Sequence, residues 1–205
     1  MNPNDPEWQR WNARFAAAPE YVFGTEPNAF LARQAPRLRP GQRALAIADG
    51  EARNGVWLAR QGLSVTSVDF SPAAQEKGRR LAAAQGVDVT FVLSDLDSFD
   101  WGQARFDVVA GIFFQFCGPA LRDRIFRRMR ECLVPGGLLL IEGYTPEQLA
   151  LGTGGPAEAE NLYTEDLLRA AFAEMEILEL AAYRAEMNEG SHRGRSALID
   201  LVARK

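Results

Sequence analysis

The segment ALAIADGEARNGVWLARQG, Ala44 to Gly62, has the pattern of a strand breaking into a helix through a turn of small residues. Ala48, Gly50 and Ala52 alternate along that turn, and side chains this small let a ligand come close to the backbone. A helix starting near Arg53 adds free N–H groups and a partial positive end. Asp69 stands nineteen residues after Gly50, where nucleotide-binding sheets place an acceptor for ribose hydroxyls. Asp95 offers a second carboxylate after the next strand. The third glycine of a dinucleotide fingerprint would fall at Arg53, whose bulk crowds a pyrophosphate, so the pattern favours an adenosine without pyrophosphate over NAD.

A second group of reactive types lies near the end of the chain. His192, the one histidine, sits in EGSHRGR beside Arg193 and Arg195, a local positive cluster in an acidic chain. Such a cluster draws an anionic acceptor or lowers a thiol pKa; its alternative is a plain solvated turn. Tyr21, Phe23 and Tyr144 either wall a dry pocket or pack the core, and Trp8 and Trp11 form either a packing stripe or a lid. Cys117 is read as a buried small residue ahead of an acceptor-side thiol. The Gly/Pro-rich stretch 149–161 is an exposed loop, with the flexibility of a lid.

Alternating elements must position these residues. Strands are expected at 43–48, 64–69, 88–93, 106–113 and 137–143, with helices at 53–61, 72–85 and 119–133 between them. Alternation at this spacing implies a doubly wound α/β, mostly parallel sheet. A helix near 164–173, capped by Thr164, precedes two β-like runs, 175–187 and 195–204, joined by the turn NEGSHRG and pairing antiparallel. The opening helix starts at a cap, Asn4 or Asp5, before Pro6, and a second begins about Pro27. The organisation expected is a single domain over 1–205: a cap segment 1–40, a ligand-binding core 41–145, and an acceptor-side loop, helix and hairpin over 146–205.

Composition narrows the class. With 27 acidic and 23 basic side chains the net charge is −4, and the densest basic stretch, FRRMR at 126–130, has the spacing of a solvated helix face; nucleic acid is not favoured. No apolar run is long enough to span a membrane, the N-terminus is not a signal peptide, and two cysteines make neither a disulfide framework nor a metal site. The expectation is a cytoplasmic protein, monomer or homodimer, acting on a small molecule.

The chain resembles a class I S-adenosylmethionine-dependent methyltransferase from about Ala44 onward. ALAIADGEARN stands at that family's glycine motif, VTSVDFS at its ribose-acid motif and VLSDLDSF at its adenine-edge motif. FDVVAGIFFQF matches its fourth strand, ECLVPGGLLLIEGY the helix, Pro-Gly-Gly turn and fifth strand, and the terminal hairpin also fits. EARNGVWLARQG and YVFGTEPNAFL are most similar to the subgroup of tellurite-resistance and thiopurine methyltransferases, which act on small, soft acceptors. Three positions depart from the family: Ala46 replaces the first-strand acid, and Ala48 and Ala52 replace the outer glycines, with Asp49 as a substitute acid.

The resemblance implies a seven-stranded sheet and S-adenosyl-L-methionine as cofactor, with no metal. Ala48, Asp49, Gly50 and Asn54 would lie along its amino-acid part, and Asp69 would take the ribose, with Phe70 against the adenine. Asp95 and Leu96 would meet the adenine edge, and Phe113 and Phe114 would flank the sulfonium. Catalytic candidates are His192, Arg193, Arg195 and Tyr21. The activity implied is methyl transfer to a small-molecule acceptor, a thiol or other soft nucleophile. The alternatives are a small-molecule O- or N-methyltransferase and a non-catalytic S-adenosylmethionine-binding protein, with a nicotinamide oxidoreductase last.

Overall fold

The computed structural model describes residues 5–205 and contains a seven-stranded sheet, the strands running β3-β2-β1-β4-β5-β7-β6. The chain divides into two compact units, Met1–Asp100 with Glu189–Ser191, and Trp101–Asn188 with His192–Lys205.

In the first unit β1 (Arg43–Ile47), β2 (Ser64–Asp69) and β3 (Val89–Leu93) pair in parallel. Ile47 lies opposite Val68 and Asp69 opposite Leu93, so the three strands end together and their following residues share one edge. That register brings the turn after β1, Asp69 and the start of the 94–98 segment to the same side. Helix α1 (Pro6–Ala17) begins where Asp5 accepts from the amides of Glu7 and Trp8, with Pro6 supplying a preset φ. Asn4, the other expected cap, lies outside the described residues. Helix α2 (Ala29–Arg33) is capped by Asn28, and α4 (Pro72–Gln85) starts on Ser71 and stops at left-handed Gly86. Helix α3 (Arg53–Arg60) has no side-chain cap; its start is turned by Ala52 at φ 62°.

In the second unit β4 (Phe106–Ile112) pairs in parallel with β5 (Leu133–Tyr144), and β5 pairs antiparallel with β7 (His192–Arg204), which neighbours β6 (Glu176–Glu189). Helix α5 (Pro119–Cys132) buries Ile125, Phe126 and Met129, while Leu139, Leu140 and Ile141 of β5 are fully enclosed. Buried aliphatic area of this kind contributes about 25 cal/mol per Å².

Three sequence expectations shift. Pro135-Gly136-Gly137 does not precede the fifth strand but is looped out of it: Phe106 pairs with Leu133 and Val108 already with Leu138. Proline has no N–H for the ladder, and Gly136 takes φ 78°, so the surplus residues bulge. The 149–161 stretch is not wholly loop, since α6 (Gln148–Leu151) and a 3-10 turn at Ala159–Asn161 lie at its ends. The hairpin turn is shorter than NEGSHRG: β6 runs to Glu189 and β7 opens at His192, leaving Gly190 at φ 57° to reverse the chain with Ser191. Helix α7 (Glu165–Ala171) is capped by Thr164 as its sequence predicts. Among the described residues no helix is long and apolar enough to cross a membrane.

Candidate functional site

The turn after β1 bends through the left-handed region three times in five residues, with φ 46° at Ala48, 55° at Gly50 and 62° at Ala52. Two of these are alanines, so the chain keeps a glycine-type path at positions where a Cβ disfavours it. The fold over-determines the path. The Gly50 amide donates to Asp69 Oδ2 at 2.8 Å, and the Ser71 amide donates to Oδ1 at 2.8 Å. Each carboxylate oxygen keeps a second acceptor direction, which a ribose hydroxyl can use. Burial pushes the Asp69 carboxyl up to about 6, against the amides that lower it.

Asp49 is buried at the junction of β2 and α3, where it accepts from the Ser67 hydroxyl at 2.8 Å and the Gly55 amide at 3.2 Å. A Cβ at Gly55 would collide with Asp49 Oδ2, so the glycine makes room for the acid. Desolvation pushes Asp49 up to about 7, and the neighbouring Asp69 charge adds to the rise. Asn54 Oδ1 accepts from the Asn28 amide at 2.9 Å. Asp95 folds back on its own turn, accepting from the amides of Asp97 and Ser98 and from the Ser98 hydroxyl, and Leu96 is buried behind it.

Helix α1 and the segment after it dock on this turn. The Phe15 ring lies where a Cβ at Gly50 would come within 3.2 Å of it, and Phe15 stacks with Trp11 and meets Phe23 edge-on. Trp8 Nε1 donates to the Phe70 carbonyl at 2.9 Å, and Asn12 Oδ1 receives the Ser71 hydroxyl and the Ala73 amide. Buried Glu51 takes the Lys77 ammonium on Oε1 at 2.9 Å and the Val22 amide on Oε2 at 2.7 Å. Tyr21 packs beside Ala52, Val56 and Leu81, and its hydroxyl donates to the Lys77 carbonyl at 3.4 Å. Glu51, Lys77, Asn12 and Phe15 escaped the sequence reading as site residues; only Phe15 carried a signal, as the third member of the Trp8–Trp11 stripe.

The second unit gathers the other candidates. Phe113, just past β4, has φ 54°, and its ring lies 4.7 Å from Tyr144 and 4.6 Å from His192, edge-on to the latter. Strain of this kind in a bulky residue marks sites that the surroundings hold in place. His192 is half-buried at the start of β7, while Arg193 and Arg195, both after it, are exposed and by strand alternation lie on the other face. Phe114 is fully enclosed against Phe126 and Tyr163, whereas Phe113 is half-buried. Cys117 is buried at 3% exposure. The 149–161 stretch lies close: a Cβ at Gly155 would come within 3.0 Å of the Tyr144 ring, and the Thr153 hydroxyl donates to the Arg195 carbonyl at 2.7 Å. A separate open cleft of about 580 Å³, lined by Thr145, Tyr163, Thr164 and Tyr183 among others, includes none of Phe113, Tyr144 and His192.

Left-handed turn, strand-end acid and helix N-terminus together fit an adenosine-bearing cofactor. Residues 44–137 match the family model of a methyltransferase domain. The strand order and terminal hairpin are those of the class I methyltransferase Rossmann-like fold. A demethylmenaquinone methyltransferase of Mycobacterium tuberculosis is 32% identical over 139 residues, 67% of this chain and 53% of the relative. The chain thus spans about half the length of the curated relatives it matches. Among solved structures, one from work on conversion of a disulfide bond into a thioacetal group during echinomycin biosynthesis has a TM-score of 0.77 at 19% identity, covering 97% of this chain and 92% of that one. TehB from Haemophilus influenzae follows at 0.71 and 20%, covering 87% and 62%. At these identities the likeness is one of fold.

Proposed function

We propose that this methyltransferase domain transfers a methyl group from S-adenosylmethionine to a small-molecule acceptor whose reacting atom is a thiol or other soft nucleophile. The Gly50 amide on the Asp69 carboxylate carries the cofactor part of this reading, because it fixes a close-approach turn and an acid at adjacent strand ends. The cofactor, when bound, supplies an activated methyl on a sulfonium. The chain's own contribution is placement: in the first unit Asp69 holds ribose hydroxyls and α3 offers its N-terminal amides, and in the second Phe113 and Tyr144 pair as an apolar surface. In-line displacement gains much from such placement, with effective molarities of about 10⁵ M and above open to orientation.

The soft acceptor is supported by the modest demand for base. A thiol with pKa about 8.5 is already partly thiolate near neutrality, so a dedicated base is optional, and the exposed Arg193 and Arg195 add positive charge that draws an anion. The likeness to TehB and to the echinomycin structure agrees with this subgroup. A second reading is favoured by the demethylmenaquinone methyltransferases and by the Phe113–Tyr144 ring pair: an acceptor with a flat aromatic ring stacked on that pair.

Calorimetry with S-adenosylhomocysteine, followed by a product assay over thiols, chalcogen oxyanions and quinols, tests both parts. Binding that weakens tenfold or more in Asp69→Asn supports the cofactor site, and unchanged affinity rejects it. Turnover of thiols or oxyanions alone supports the first acceptor reading; turnover of quinols alone supports the second.

A further inference from the structure

Within the second unit, Tyr144 is fixed through both its backbone and its ring. Gln115 Oε1 accepts from the Tyr144 amide, and Gln115 Nε2 donates to the Tyr144 carbonyl at 2.9 Å. The same carbonyl takes the Tyr163 amide at 2.9 Å. The ring lies 4.7 Å from Phe113 and 6.1 Å from His192, centroid to centroid. Against this ring runs the strip Thr153–Gly155. A Cβ on Gly155 would come within 3.0 Å of Tyr144 Cδ2, and one on Gly154 would lie 3.7 Å from the hydroxyl oxygen. Tyr144 is 3% exposed although both glycines are exposed, so the strip is a thin outer layer over a buried ring.

The strip is fastened in place. Gln148 is 1% exposed, and its Nε2 donates to Thr153 Oγ1 at 2.9 Å and to the Gly154 carbonyl at 3.1 Å. Its Oε1 accepts the Ala197 amide at 2.8 Å, so both amide protons and the oxygen are in use. Thr153 in turn donates its hydroxyl to the Arg195 carbonyl at 2.7 Å. A substituent on Gly155 is therefore met by groups that cannot retreat. Gln148 Cγ would lie 3.3 Å from that Cβ, and the Tyr144 backbone is pinned by Gln115. What can yield is the Tyr144 ring, by turning away from the strip. Glycine at 155 lets the chain approach that ring more closely than any side chain would allow.

We propose that Gly155 is a specificity-determining residue for the acceptor: with the strip held down by Gln148, the absence of a side chain at 155 sets how much width the Phe113–Tyr144 surface offers a flat acceptor. This rests on the reading of that surface as the acceptor wall. Gln148 acts through the strip and is a positioning residue. An added methyl at 155 turns the Tyr144 ring and narrows the site. Loss of the Thr153 hydroxyl releases the strip from both Gln148 and Arg195 and widens it. Selectivity is a ratio between two acceptors on one enzyme, so it separates from a general loss of stability.

Thiols of increasing width are the probes: 2-mercaptoethanol, benzenethiol and 2-naphthalenethiol, with S-adenosylhomocysteine release as the readout. In Gly155→Ala, kcat/KM for 2-naphthalenethiol relative to 2-mercaptoethanol should fall at least tenfold, with the change in KM rather than kcat. Gly152→Ala is the control. It carries comparable left-handed strain, φ 64° against 84° at Gly155, but its Cβ would meet nothing within 4 Å, so the ratio should stay at the wild-type value. His192, the one histidine of the sequence, gives an independent reading of the ring. Its imidazole ¹H signals feel the Tyr144 and Phe113 ring currents, and they should shift in Gly155→Ala and not in Gly152→Ala. If Gly155→Ala fails to fold, Thr153→Val tests the opposite direction, and the ratio should rise at least threefold. An unchanged ratio in the folded variant overturns the proposal, as does an unshifted imidazole in Gly155→Ala. Should Phe113→Leu lose kcat/KM while Gly155→Ala keeps the wild-type ratio, only the role of Gly155 falls. Should Phe113→Leu be as active as the wild type, or no thiol be turned over, the acceptor reading falls and takes the role of Gly155 with it.

Discussion

The Lys77 ammonium lies 2.9 Å from Glu51 Oε1 and donates its other protons to the carbonyls of Ala18 and Glu20, each at 2.8 Å. Both side chains are almost wholly enclosed, so every proton of the ammonium has a partner and both carboxylate oxygens are in use. Through this pair the segment after α1 is tied to the residue that follows Gly50. Removing one partner leaves a buried, uncompensated charge or orphaned carbonyls, which costs about 3–5 kcal/mol. Lys77→Ala should therefore lower stability by about that amount in urea unfolding, whereas Arg184→Ala, which loses only an exposed pair with Glu147, should change it by less than about 1 kcal/mol.

The alanines of the turn make a prediction of the opposite sign. Ala48 is half-buried at φ 46°, and a left-handed alanine costs about 1–2 kcal/mol relative to a comfortable conformation. Ala48→Gly removes that strain and should raise stability by about 1 kcal/mol, or about 2–4 °C in melting temperature at this chain length. Ala52 is fully buried, and its methyl lies where a Cβ on Gly78 would meet it at 2.9 Å. Loss of that packing, about 0.8 kcal/mol for a buried methylene-sized group, offsets most of the relief. Ala52→Gly should thus be close to neutral by differential scanning calorimetry.

How the sequence and structure compare follows from the same residues. Strand and helix positions were legible because apolar runs and capping residues are local: Ser71-Pro72 opens α4 and Thr164 opens α7 where their sequences place them. The strand-end acid was legible too, from its spacing to Gly50. What spacing could not give was the partner of each polar group. Glu51 and Lys77 are 26 positions apart and Arg53 and Glu189 are 136 apart, and neither pair leaves a periodic trace. The Pro-Gly-Gly bulge was missed for a related reason, since a turn signal does not say whether the ladder resumes before or after it. His192 read as a loop residue because Gly190 and Gly194 bracket it, although only Gly190 is needed to reverse the chain.

Asp49 and Asp69 set the direction of the pH dependence. Burial raises both, Asp49 to about 7 and Asp69 to about 6. An acid whose folded pKa lies above its unfolded value, about 3.9, binds its proton more tightly when folded. Between about pH 4 and pH 7 the native state thus holds more protons than the unfolded chain, and stability from these groups falls as pH rises through that window. It is fully present below about pH 4. Asp49→Asn, which keeps an oxygen for the Gly55 amide, should flatten the fall and be the more stable protein at pH 8 by urea unfolding. An unchanged slope between pH 4 and 7 would mean that Asp49 is ionised without penalty.

Phe113 allows backbone strain and ring function to be separated. Its φ of 54° is held by the hydrogen bond that its amide donates to the Glu142 carbonyl at 2.9 Å, and its ring packs on Tyr144 and His192. Phe113→Leu keeps the strain, of order 1–3 kcal/mol, and loses the ring contacts, about 0.5–1.5 kcal/mol for an aromatic pair. It should be less stable than the wild type. Phe113→Gly loses the ring but also releases the strain, so its stability should lie nearer the wild type than that of the leucine variant. If the ring walls the acceptor site, both variants should nevertheless lose at least tenfold in kcat/KM toward whichever acceptor is turned over, equivalent to about 1.4 kcal/mol of transition-state stabilisation. Activity that followed stability instead, with glycine above leucine, would place the role of Phe113 in shaping the backbone at the end of β4.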